Sequence, residues 1–451
     1  MNSKTKVLLV YPNIWSDIFP LSILILSSVL KEHGYEVSVF SAVHRRKVNC
    51  PPKTVAVEGP DNEVFDEFRQ TLSQFQPDVI AMSVVEDAFP LASRLLEAIP
   101  DYPGVVIVGG VFATFAPEKA IAHPNVDAVC IGEGEISLIQ LCECLEHNAP
   151  LQDIPGMWIK QSDGTIQKNP QGTSVVLDDL PAPDYSVLDR QKFQGPVPLI
   201  AHRGCPYLCT FCNSPAQARL FDAASQKSFF RKHSMASLRR DLEDLTAHHS
   251  SKLSKDGLYF CSDTLLAWSP RDFDEFIEMY SDFKIPFICH STPETIVADK
   301  MDKLVGVGLK LMNIGVQHGN EVFRRDVLKR RMPNAELKKR FAIASASGAW
   351  ISADFIMGFP TETPELAWDT IRFSREIKAS VKNCSVFVPY HGTELRELAI
   401  SKGYLKPEVL AVWSPELSQL EMPEFPKEEI ARLVQEFKSK SFRVNLVAIN
   451  E

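Results

Sequence analysis

The stretch GVVIVGG, at Gly104–Gly110, is an uninterrupted apolar run that ends in two glycines. Similar runs recur within the first 150 residues, and segments with apolar residues at helical spacing separate them. Short, nearly continuous apolar strands that alternate with helices are typical of a parallel sheet covered on both faces. We therefore predict an open, doubly wound α/β domain, with its ligand site at the carboxyl ends of the strands. The other runs are Lys6–Pro12, Glu36–Ala42, Asp78–Val84 and Ala128–Gly132.

A second alternating series follows residues 151–195, a Pro-rich stretch that we interpret as a small hairpin and a linker. A closed eight-unit barrel normally needs more than about 200 residues. The series has six apolar runs, so we predict a partial (β/α)6 TIM-type barrel, open on one side. The six runs are Val197–Arg203, Gly257–Asp263, Ile285–Ser291, Leu309–Gln317, Trp350–Pro360 and Cys384–Tyr390.

The predicted fold class is thus α/β, with a Rossmann-like parallel-sheet domain first and the partial barrel second. We place the domain boundaries at residues 1–150 for the Rossmann-like domain and 151–195 for the hairpin and linker. The barrel then occupies residues 196–395, and a small helical region without a chemical motif occupies residues 396–451.

Composition and charge argue against several function classes. The chain has 451 residues, with 48 Lys and Arg against 57 Asp and Glu and a formal net charge of −9. This acidic balance argues against a protein that binds nucleic acid through broad phosphate contacts, although a local basic patch at residues 324–331 stays open. We expect no membrane span and no secretory signal. In the reducing cytoplasm that we expect, ten cysteines suggest metal or redox chemistry.

Three cysteines cluster in the stretch HRGCPYLCTFCNSP at His202–Pro215, directly after the first predicted barrel strand. Cys205, Cys209 and Cys212 form C-x3-C-x2-C on a loop, so their thiolates can converge on one soft metal centre. A structural zinc site needs a fourth ligand, and His202 points back into the strand. A [4Fe–4S] cluster held by three cysteines keeps one iron free for a small molecule. Three unrelated loop cysteines are the alternative, but their spacing and position favour the cluster.

The spacing of these cysteines, with aromatic Phe211 before the last one, resembles that of the radical S-adenosylmethionine (SAM) enzymes. The resemblance implies that the open iron binds the amino and carboxylate groups of SAM, which is cleaved to a 5′-deoxyadenosyl radical. It also implies a partial TIM barrel with its site at the strand carboxyl ends, where further matching segments fall. These segments are YFCSD (Tyr259–Asp263), IGVQ (Ile314–Gln317), IMGFPTET (Ile356–Thr363) and VPYHGTEL (Val388–Leu395).

The same resemblance assigns cofactor contacts in the predicted barrel. It implies that Ser262 and Asp263 face the methionine amino end of SAM. Gln317 is expected at the ribose, where many relatives carry Glu, and a neutral amide can still hydrogen-bond a hydroxyl. Gly358 and Phe359 are expected to let backbone approach the adenine. For Ser262 and Asp263, a structural role at the strand end is the alternative.

The N-terminal segments VVIVGGVFATFAPEKAI (Val105–Ile121) and VDAVCIGEGE (Val126–Glu135), with LDDLPAPDYSVLD (Leu177–Asp189), resemble the cobalamin-binding subgroup of these enzymes. Many cobalamin domains carry D-x-H-x-x-G, whose histidine ligates cobalt. Alignment without gaps places Asp17-Ile18-Phe19-Pro20 on that motif, so Phe19 occupies the histidine position and offers no lone pair. We therefore expect cobalamin without a protein imidazole ligand. Further candidates for the cobalamin site are Ser83, Val84, Gly109, Gly110, Phe112 and Glu133, each with an ordinary strand-end or turn role as the alternative.

The resemblance implies an enzyme with a [4Fe–4S] cluster, SAM and cobalamin as cofactors, a small-molecule substrate, and an external electron donor such as a flavodoxin or ferredoxin. The leading hypothesis is a methyltransferase that methylates an unactivated carbon through the 5′-deoxyadenosyl radical and methylcobalamin. A second hypothesis keeps the cofactors but makes the reaction a cyclisation, rearrangement or redox step. A third is a non-catalytic cobalamin or cluster sensor.

Overall fold

The computed structural model describes residues 4–13, 19–43, 62–221 and 229–439. Asp17 and Ile18, aligned above with a cobalt-ligand motif, lie outside these residues. The chain divides into two compact units. The first holds the chain up to Pro198, a short segment that begins at Arg219, and Arg240–Lys252. The second holds Leu199–Ala218, the segment that ends at Arg239, and the chain from Leu253 onward.

Seven strands form the sheet of the first unit: β1 (Lys6–Asn13), β2 (Glu36–Val43), β3 (Val79–Ser83), β4 (Val105–Gly109), β5 (Ala128–Cys130), β6 (Met157–Lys160) and β7 (Ile166–Lys168). Their order is β2-β1-β3-β4-β5-β6-β7. The first five strands pair in parallel, and the β6–β7 hairpin continues the sheet in antiparallel fashion. The predicted Rossmann-like parallel sheet is confirmed.

Helices cover this sheet because its strands are apolar on both faces. Val7, Leu8, Leu9 and Val10 of β1 are all fully buried, as expected for a central strand between two layers of helices. The helices that alternate with the strands are α1 (Leu21–Glu32), α2 (Asn62–Phe75), α3 (Phe89–Glu97), α4 (Val111–Phe115), α5 (Pro117–Ile121) and α6 (Glu135–Glu146).

Eight further strands follow along the chain: β8 (Val197–Leu199), β9 (His202–Arg203), β10 (Arg231–Lys232), β11 (Leu258–Phe260), β12 (Phe287–Ser291), β13 (Leu309–Gln317), β14 (Trp350–Met357) and β15 (Val381–Val386). Six of them form a sheet with the order β15-β14-β13-β12-β11-β8. Strands β11 to β15 pair in parallel, which confirms the predicted six-stranded partial barrel. The other two, β9 and β10, pair with each other in antiparallel fashion.

The helices after the hairpin are α7 (Ser214–Leu220), α8 (Met235–His248), α9 (Pro270–Tyr280), α10 (Ala298–Gly306), α11 (Glu321–Asp326), α12 (Asn334–Ala346), α13 (Pro364–Glu376), α14 (Glu394–Ser401) and α15 (Lys427–Ser439). Local signals in the sequence fix where two of them begin. Ser269 caps α9 by accepting the N–H of Asp272, and Thr363 caps α13 by accepting the N–H of Leu366; a proline follows each cap. The predicted C-terminal helical region is confirmed by α15. Across the described ranges, every helix is too short or too polar to cross a membrane.

The two faces of the six-stranded sheet differ in burial. Phe260, Cys289, Met312 and Ile351 are neighbours in register on one face, and all four are fully buried. Helices cover this face, as the edge-on contact of the Phe260 and Phe276 rings shows. Most residues at the alternate positions are half-buried or exposed, with Leu311 and Ser352 as buried exceptions, and we call their side of the sheet the inner face. It includes Tyr259, Ile288, His290, Asn313, Gly315, Ser352, Asp354 and Asn383.

Candidate active site

The three cysteines lie on the loop between β9 and α7. Thr210 anchors this loop, because its hydroxyl donates a hydrogen bond to the carbonyl of Val327 (2.7 Å). The N–H of Cys212 donates to the carbonyl of Cys209 (3.2 Å), and the N–H of Ser214 donates to Sγ of Cys212 (3.4 Å). A backbone donor to sulfur favours the thiolate, which is the form that binds metals.

Burial dominates the electrostatics of the loop. It raises the pKa of the Cys205 and Cys212 thiols to about 12, and it also raises the pKa of Cys209. The negative charge of Asp263 acts in the same direction on all three thiols, whereas the guanidinium of Arg330 lowers the pKa of Cys209 and Cys212. A bound iron cation would favour all three thiolates, so metal binding to this loop is coupled to proton release.

His202, near the cysteine loop, makes a hydrogen bond within the protein: its Nδ1 accepts the indole N–H of Trp268 (3.2 Å). Among the residues that the structure describes, no group of three His, Cys, Asp or Glu side chains is arranged to hold a metal ion. Burial lowers the pKa of His202 to about 3.

Ser262 and Asp263 follow β11, yet they have different surroundings. The Ser262 hydroxyl is buried and accepts the backbone N–H groups of Ala201 (3.1 Å) and His202 (3.2 Å). These bonds tie the end of β11 to the segment before the cysteine loop, which is the structural alternative given above. Asp263 remains accessible to solvent, and desolvation by the surrounding protein raises its pKa. Of the two, Asp263 is the one available to a ligand.

Gln317 ends β13 in a left-handed conformation, with φ of +71°. Strain of this kind is uncommon outside glycine and is concentrated at functional sites. Gly315 leaves room for this side chain: a Cβ at Gly315 would lie 2.3 Å from Nε2 of Gln317 and 3.1 Å from Nη1 of Arg330. Gln317 and Arg330 therefore both reach over the sheet at Gly315.

Glu294 and Arg330 are two residues that sequence reasoning missed. Nη2 of Arg330 lies 3.8 Å from Oε2 of Glu294, too far for a hydrogen bond. Both atoms are buried, and neither has a hydrogen-bond partner among the residues that the structure describes. Buried charged groups normally have partners, so this pair fits a ligand that carries both an ammonium and a carboxylate, as the methionine end of SAM does.

The basic patch left open at residues 324–331 is only partly exposed. Arg325, Lys329 and Arg331 are exposed, whereas Arg330 is buried as described above and Arg324 is only 1% exposed. Arg324 donates hydrogen bonds to the carbonyls of His318 and Met332 (both 2.7 Å) and to Oδ1 of Asn334 (2.7 Å). Arg324 is thus part of the scaffold, and three of the five cations remain at the surface.

Gly358 and Phe359 follow β14, and a buried carboxylate holds them. Oε2 of Glu362 accepts the N–H of Gly358 (2.6 Å) and of Phe359 (2.9 Å), while Oε1 contacts Nε2 of His318 (3.0 Å). Nδ1 of His318 accepts the N–H of Asn320 (3.0 Å), so the imidazole is neutral and its Nε2–H donates to Glu362. Sequence reasoning did not find this His318–Glu362 pair, which joins the ends of β13 and β14.

Phe211 and Phe359, two expected cofactor contacts, lie near each other, with ring centroids 6.1 Å apart. Phe359 is fully buried and belongs to a cluster of rings that also contains Phe387. Phe359 therefore contributes packing, and the backbone of the Gly358–Phe359 turn is the part that a ligand could approach.

The cobalamin candidates of the first unit divide into accessible and buried groups. Ser83, Gly109 and Gly110 lie at the carboxyl ends of β3 and β4 and are partly exposed. Gly110 has φ of +92°, and a Cβ there would lie 2.7 Å from the backbone N and O of Val84. Val84 and Phe112 are each 1% exposed and pack in the core. The strand ends thus present backbone and small side chains, which suits a large flat ligand.

Phe19 and Glu133 are engaged within the protein. Phe19 is 2% exposed, and its ring makes an edge-on contact with Phe193 at 4.8 Å. Oε2 of Glu133 accepts the N–H of Val175 (2.9 Å). Among the candidates of the first unit, Ser83, Gly109 and Gly110 remain those best placed for cobalamin.

Two family profiles match the sequence in the positions that the fold suggests. The radical SAM superfamily profile matches residues 199–374, and the B12-binding domain profile matches residues 8–141. The chain belongs to the cobalamin-binding radical SAM enzymes. The cofactors of this family are a [4Fe–4S] cluster, SAM and cobalamin, as expected from the sequence.

Individual proteins with similar sequences cover most of the chain at low identity. The uncharacterized methyltransferase PH0819 of Pyrococcus horikoshii is 24% identical over 381 residues, which are 82% of this chain and 80% of that protein. The anaerobic magnesium-protoporphyrin IX monomethyl ester cyclase of Rubrivivax gelatinosus is 23% identical over 421 residues, 86% of this chain and 69% of that protein.

A solved structure with the same fold is that of the cobalamin-dependent SAM radical enzyme OxsB with aqua-cobalamin and SAM bound. It superposes with a TM-score of 0.68 at 20% identity and covers 97% of this chain. The present chain spans 61% of the OxsB chain, less than two thirds of its length. The likeness therefore shows the shared fold.

Proposed function

We propose that this radical SAM enzyme is a cobalamin-dependent methyltransferase acting on an unactivated carbon of a small molecule. The observation that carries the proposal is the three-cysteine loop beside Glu294 and Arg330, whose facing buried atoms, 3.8 Å apart, make no hydrogen bond to any described residue. This arrangement suits SAM bound for reductive cleavage, and a radical is what an unactivated C–H bond requires. The B12-binding domain and the name of the similar Pyrococcus protein favour methyl transfer as the outcome.

Each group of residues has a distinct task in this proposal. Cys205, Cys209 and Cys212 would hold the cluster, with Phe211 beside them. Glu294 and Arg330 would bind the amino and carboxylate groups of SAM, and charge-assisted hydrogen bonds of this kind are the strong ones. When bound, the three cofactors supply a 5′-deoxyadenosyl radical and a transferable methyl group.

The remaining residues orient the nucleoside end of SAM. The Gln317 amide would bind the ribose hydroxyls, and the turn at Gly358 and Phe359, held by Glu362, would receive the adenine. Asp263 is available for the methionine ammonium in addition to Glu294. In the first unit, Ser83, Gly109 and Gly110 would contact cobalamin, without a protein imidazole because Phe19 stands at the aligned histidine position. The electron for cleavage would come from an external donor such as a flavodoxin or ferredoxin.

A product count tests the proposal. Anaerobic holoenzyme is incubated with SAM, a reductant and candidate small-molecule substrates, and 5′-deoxyadenosine and S-adenosylhomocysteine are quantified. A methyltransferase of this kind forms both products with substrate. Cys209→Ala is expected to abolish the formation of 5′-deoxyadenosine. The control is Cys144→Ala, which removes a cysteine in α6, outside the cysteine loop, and is expected to retain this activity. Persistent 5′-deoxyadenosine in the Cys209 variant would contradict the cluster assignment.

A second candidate reaction is a cyclisation or rearrangement with the same cofactors. It is favoured by the similarity to the Rubrivivax gelatinosus protein, which is named as a cyclase. The same product count separates the two reactions, because a rearrangement forms 5′-deoxyadenosine with substrate but no S-adenosylhomocysteine.

A further inference from the structure

The inner face of the six-stranded sheet carries an unusually polar floor. In a filled barrel, layers of branched apolar side chains occupy the interior. Here Tyr259, His290, Asn313, Asp354 and Asn383 all lie on this face, and none of them is fully buried. We call these five residues, together with Ser352, the polar floor. Polar side chains on the interior face of a barrel are typical of a ligand site.

The strand register places these residues next to one another. His290 pairs with Asn313 across β12 and β13, and Asn313 pairs with Ser352 on β14. Asp354 pairs with Gly315 on one side and with Asn383 on the other. Residues that pair in a sheet point to the same face with their Cβ atoms about 5 Å apart. The polar floor is therefore continuous across five strands.

Hydrogen bonds fix the orientation of the Asp354 carboxylate. Its Oδ1 accepts the Ser352 hydroxyl (2.9 Å) and the Asn383 side-chain N–H (3.0 Å). Among the residues that the structure describes, the hydrogen bonds of Asp354 are both made by Oδ1, and neither Oδ2 of Asp354 nor the side-chain amide of Asn313 takes part in one. The floor thus has a preoriented carboxylate oxygen and an amide that are both available to a ligand.

The charge of the floor selects the ligand. Tyr259 and His290 hydrogen-bond to each other, and burial raises the pKa of Tyr259 and lowers that of His290, so both are neutral near pH 7. Asp354 is then the one charged side chain of the floor. A lone, preoriented carboxylate attracts an N–H donor and repels an anion.

The floor is also continuous with the SAM-binding residues proposed above. Gly315 pairs with Asp354, and Gln317 and Arg330 reach over Gly315. A molecule on the floor would therefore lie beside bound SAM, which is where a substrate for the adenosyl radical has to be.

We propose that the polar floor binds a nitrogen-bearing, non-anionic group of the substrate, such as an amine, amide or amidine, with Asp354 as its main acceptor. This inference rests on the proposed function in one respect, namely that the bound molecule is the substrate. Binding of such a group to the polar floor does not itself require methyl transfer. Asn313 would supply a second, neutral hydrogen-bonding partner.

Three small probes of nearly equal shape test the proposal: acetamidinium, acetamide and acetate. Their binding to anaerobic holoenzyme is measured by ligand-observed proton NMR at constant ionic strength, with saturating SAM present so that acetate does not compete for Arg330. Acetamidinium is expected to bind at least ten times more tightly than acetate, with acetamide in between. Asp354→Asn keeps an oxygen for Ser352 and Asn383 but removes the charge, so it should weaken acetamidinium at least fivefold and change acetamide less than twofold.

A matched control removes one acidic charge elsewhere in the same unit. Asp299→Asn, on exposed α10, should leave all three affinities unchanged. Asn313→Ala should weaken both acetamidinium and acetamide, and it provides a second test if the Asp354 variant does not fold. Acetate binding equal to that of acetamidinium, or equal acetamidinium affinity in wild type and both floor variants, would overturn the proposal.

The same preparations separate this inference from the proposed function. Selective binding of acetamidinium that depends on Asp354, in an enzyme that forms no 5′-deoxyadenosine, would contradict the proposed function and support the floor. Normal 5′-deoxyadenosine formation without selective binding would contradict the floor alone.

Discussion

Replacement of Glu362 by Gln should reveal how a buried anion organises the ends of β13 and β14. In the wild type, the carboxylate accepts three N–H groups, from Gly358, Phe359 and His318. A Gln side chain offers one acceptor oxygen and one NH2 group. If the oxygen faces the two backbone N–H groups, the NH2 group meets Nε2–H of His318. A change of His318 tautomer cannot help, because Nδ1 must accept the N–H of Asn320.

The expected loss of stability follows from the number of hydrogen bonds that the substitution removes or weakens. One buried N–H is left unpaired, which costs about 1–3 kcal/mol, and two charge-assisted hydrogen bonds become neutral ones, at about 1 kcal/mol each. Burying one charge fewer offsets part of this loss. We therefore expect Glu362→Gln to lower the free energy of unfolding by about 2–4 kcal/mol, with a raised KM for SAM as the turn loosens.

Urea unfolding of the anaerobic holoenzyme, followed by circular dichroism, measures this difference. Glu365→Gln is the matched control, because Glu365 is exposed in the first turn of α13 and should cost less than about 0.5 kcal/mol. In a His318→Phe background the donor conflict is absent, so the Glu362 substitution should cost about 1–3 kcal/mol less than in the wild type. An equal cost in both backgrounds, or a Glu362 variant as stable as the Glu365 control, would refute the reasoning.

Three further predictions concern other parts of the chain. Burial lowers the pKa of His202 to about 3 in the folded state, against about 6.5 in the unfolded state. Between these two values the unfolded chain binds a proton that the folded protein does not. The free energy of unfolding is therefore unaffected above about pH 6.5 and falls by about 1.4 kcal/mol per pH unit below it. His202→Asn retains an acceptor for Trp268 but does not titrate, so urea unfolding between about pH 4.5 and pH 6.5 should show a shallower slope for this variant. Gly110→Ala should lower the free energy of unfolding by about 2 kcal/mol or more, because the new Cβ would lie 2.7 Å from backbone atoms of Val84. Gly164→Ala is the control: Gly164 also has a positive φ (+84°) but no atom within 4 Å, so this variant should lose only about 1 kcal/mol. Equal losses in thermal or urea unfolding would contradict the predicted clash at Gly110. Cobalamin bound in the cob(II)alamin state should show no nitrogen splitting from a protein imidazole in electron paramagnetic resonance, because Phe19 lacks a lone pair. The nucleotide base of cobalamin can itself cause nitrogen splitting, so the spectrum is compared with that of protein labelled with 15N-histidine. A splitting that changes with this label would mean that a histidine side chain ligates cobalt.

Local patterns in the sequence were sufficient to predict most of the fold. Uninterrupted apolar runs such as Lys6–Pro12 predict buried parallel strands because both faces of such a strand need apolar side chains. The ends of a strand are harder to predict where the apolar run continues past the hydrogen-bonded residues. The strand predicted at Gly257–Asp263, for example, is observed as Leu258–Phe260. The cysteine loop was recognised because its spacing is local.

Pairs distant in sequence could not be predicted from such patterns. Glu294 and Arg330 meet only because β12 and β13 are adjacent, and no local signal distinguishes Arg330 from the exposed cations beside it. Ser262 appeared to be a ligand contact for the same reason, since its bonds to the segment before the cysteine loop depend on tertiary structure. The polar floor did have a signal: Asn313 and Asp354 interrupt otherwise apolar strands at positions that face the interior, and alternation with period two would have identified them.

Two buried carboxylates of the second unit illustrate how scaffold and ligand site can be told apart. Glu362 has all of its partners within the protein, so a ligand that displaced any of them would lose as much hydrogen-bond energy as it gained. Glu294 and Arg330 face each other at 3.8 Å, and these two buried atoms lack hydrogen-bond partners in the described part of the chain. Such a pair costs stability in the free protein and recovers that cost only when a ligand inserts both charges. Asp354 is intermediate, with one oxygen oriented by neighbours and the other available. The number of hydrogen bonds that each carboxylate makes within the protein therefore predicts which property its substitution changes. Glu362→Gln should mainly lower stability, and Glu294→Gln should mainly lower the affinity for SAM. Asp354→Asn should mainly change which substrates bind.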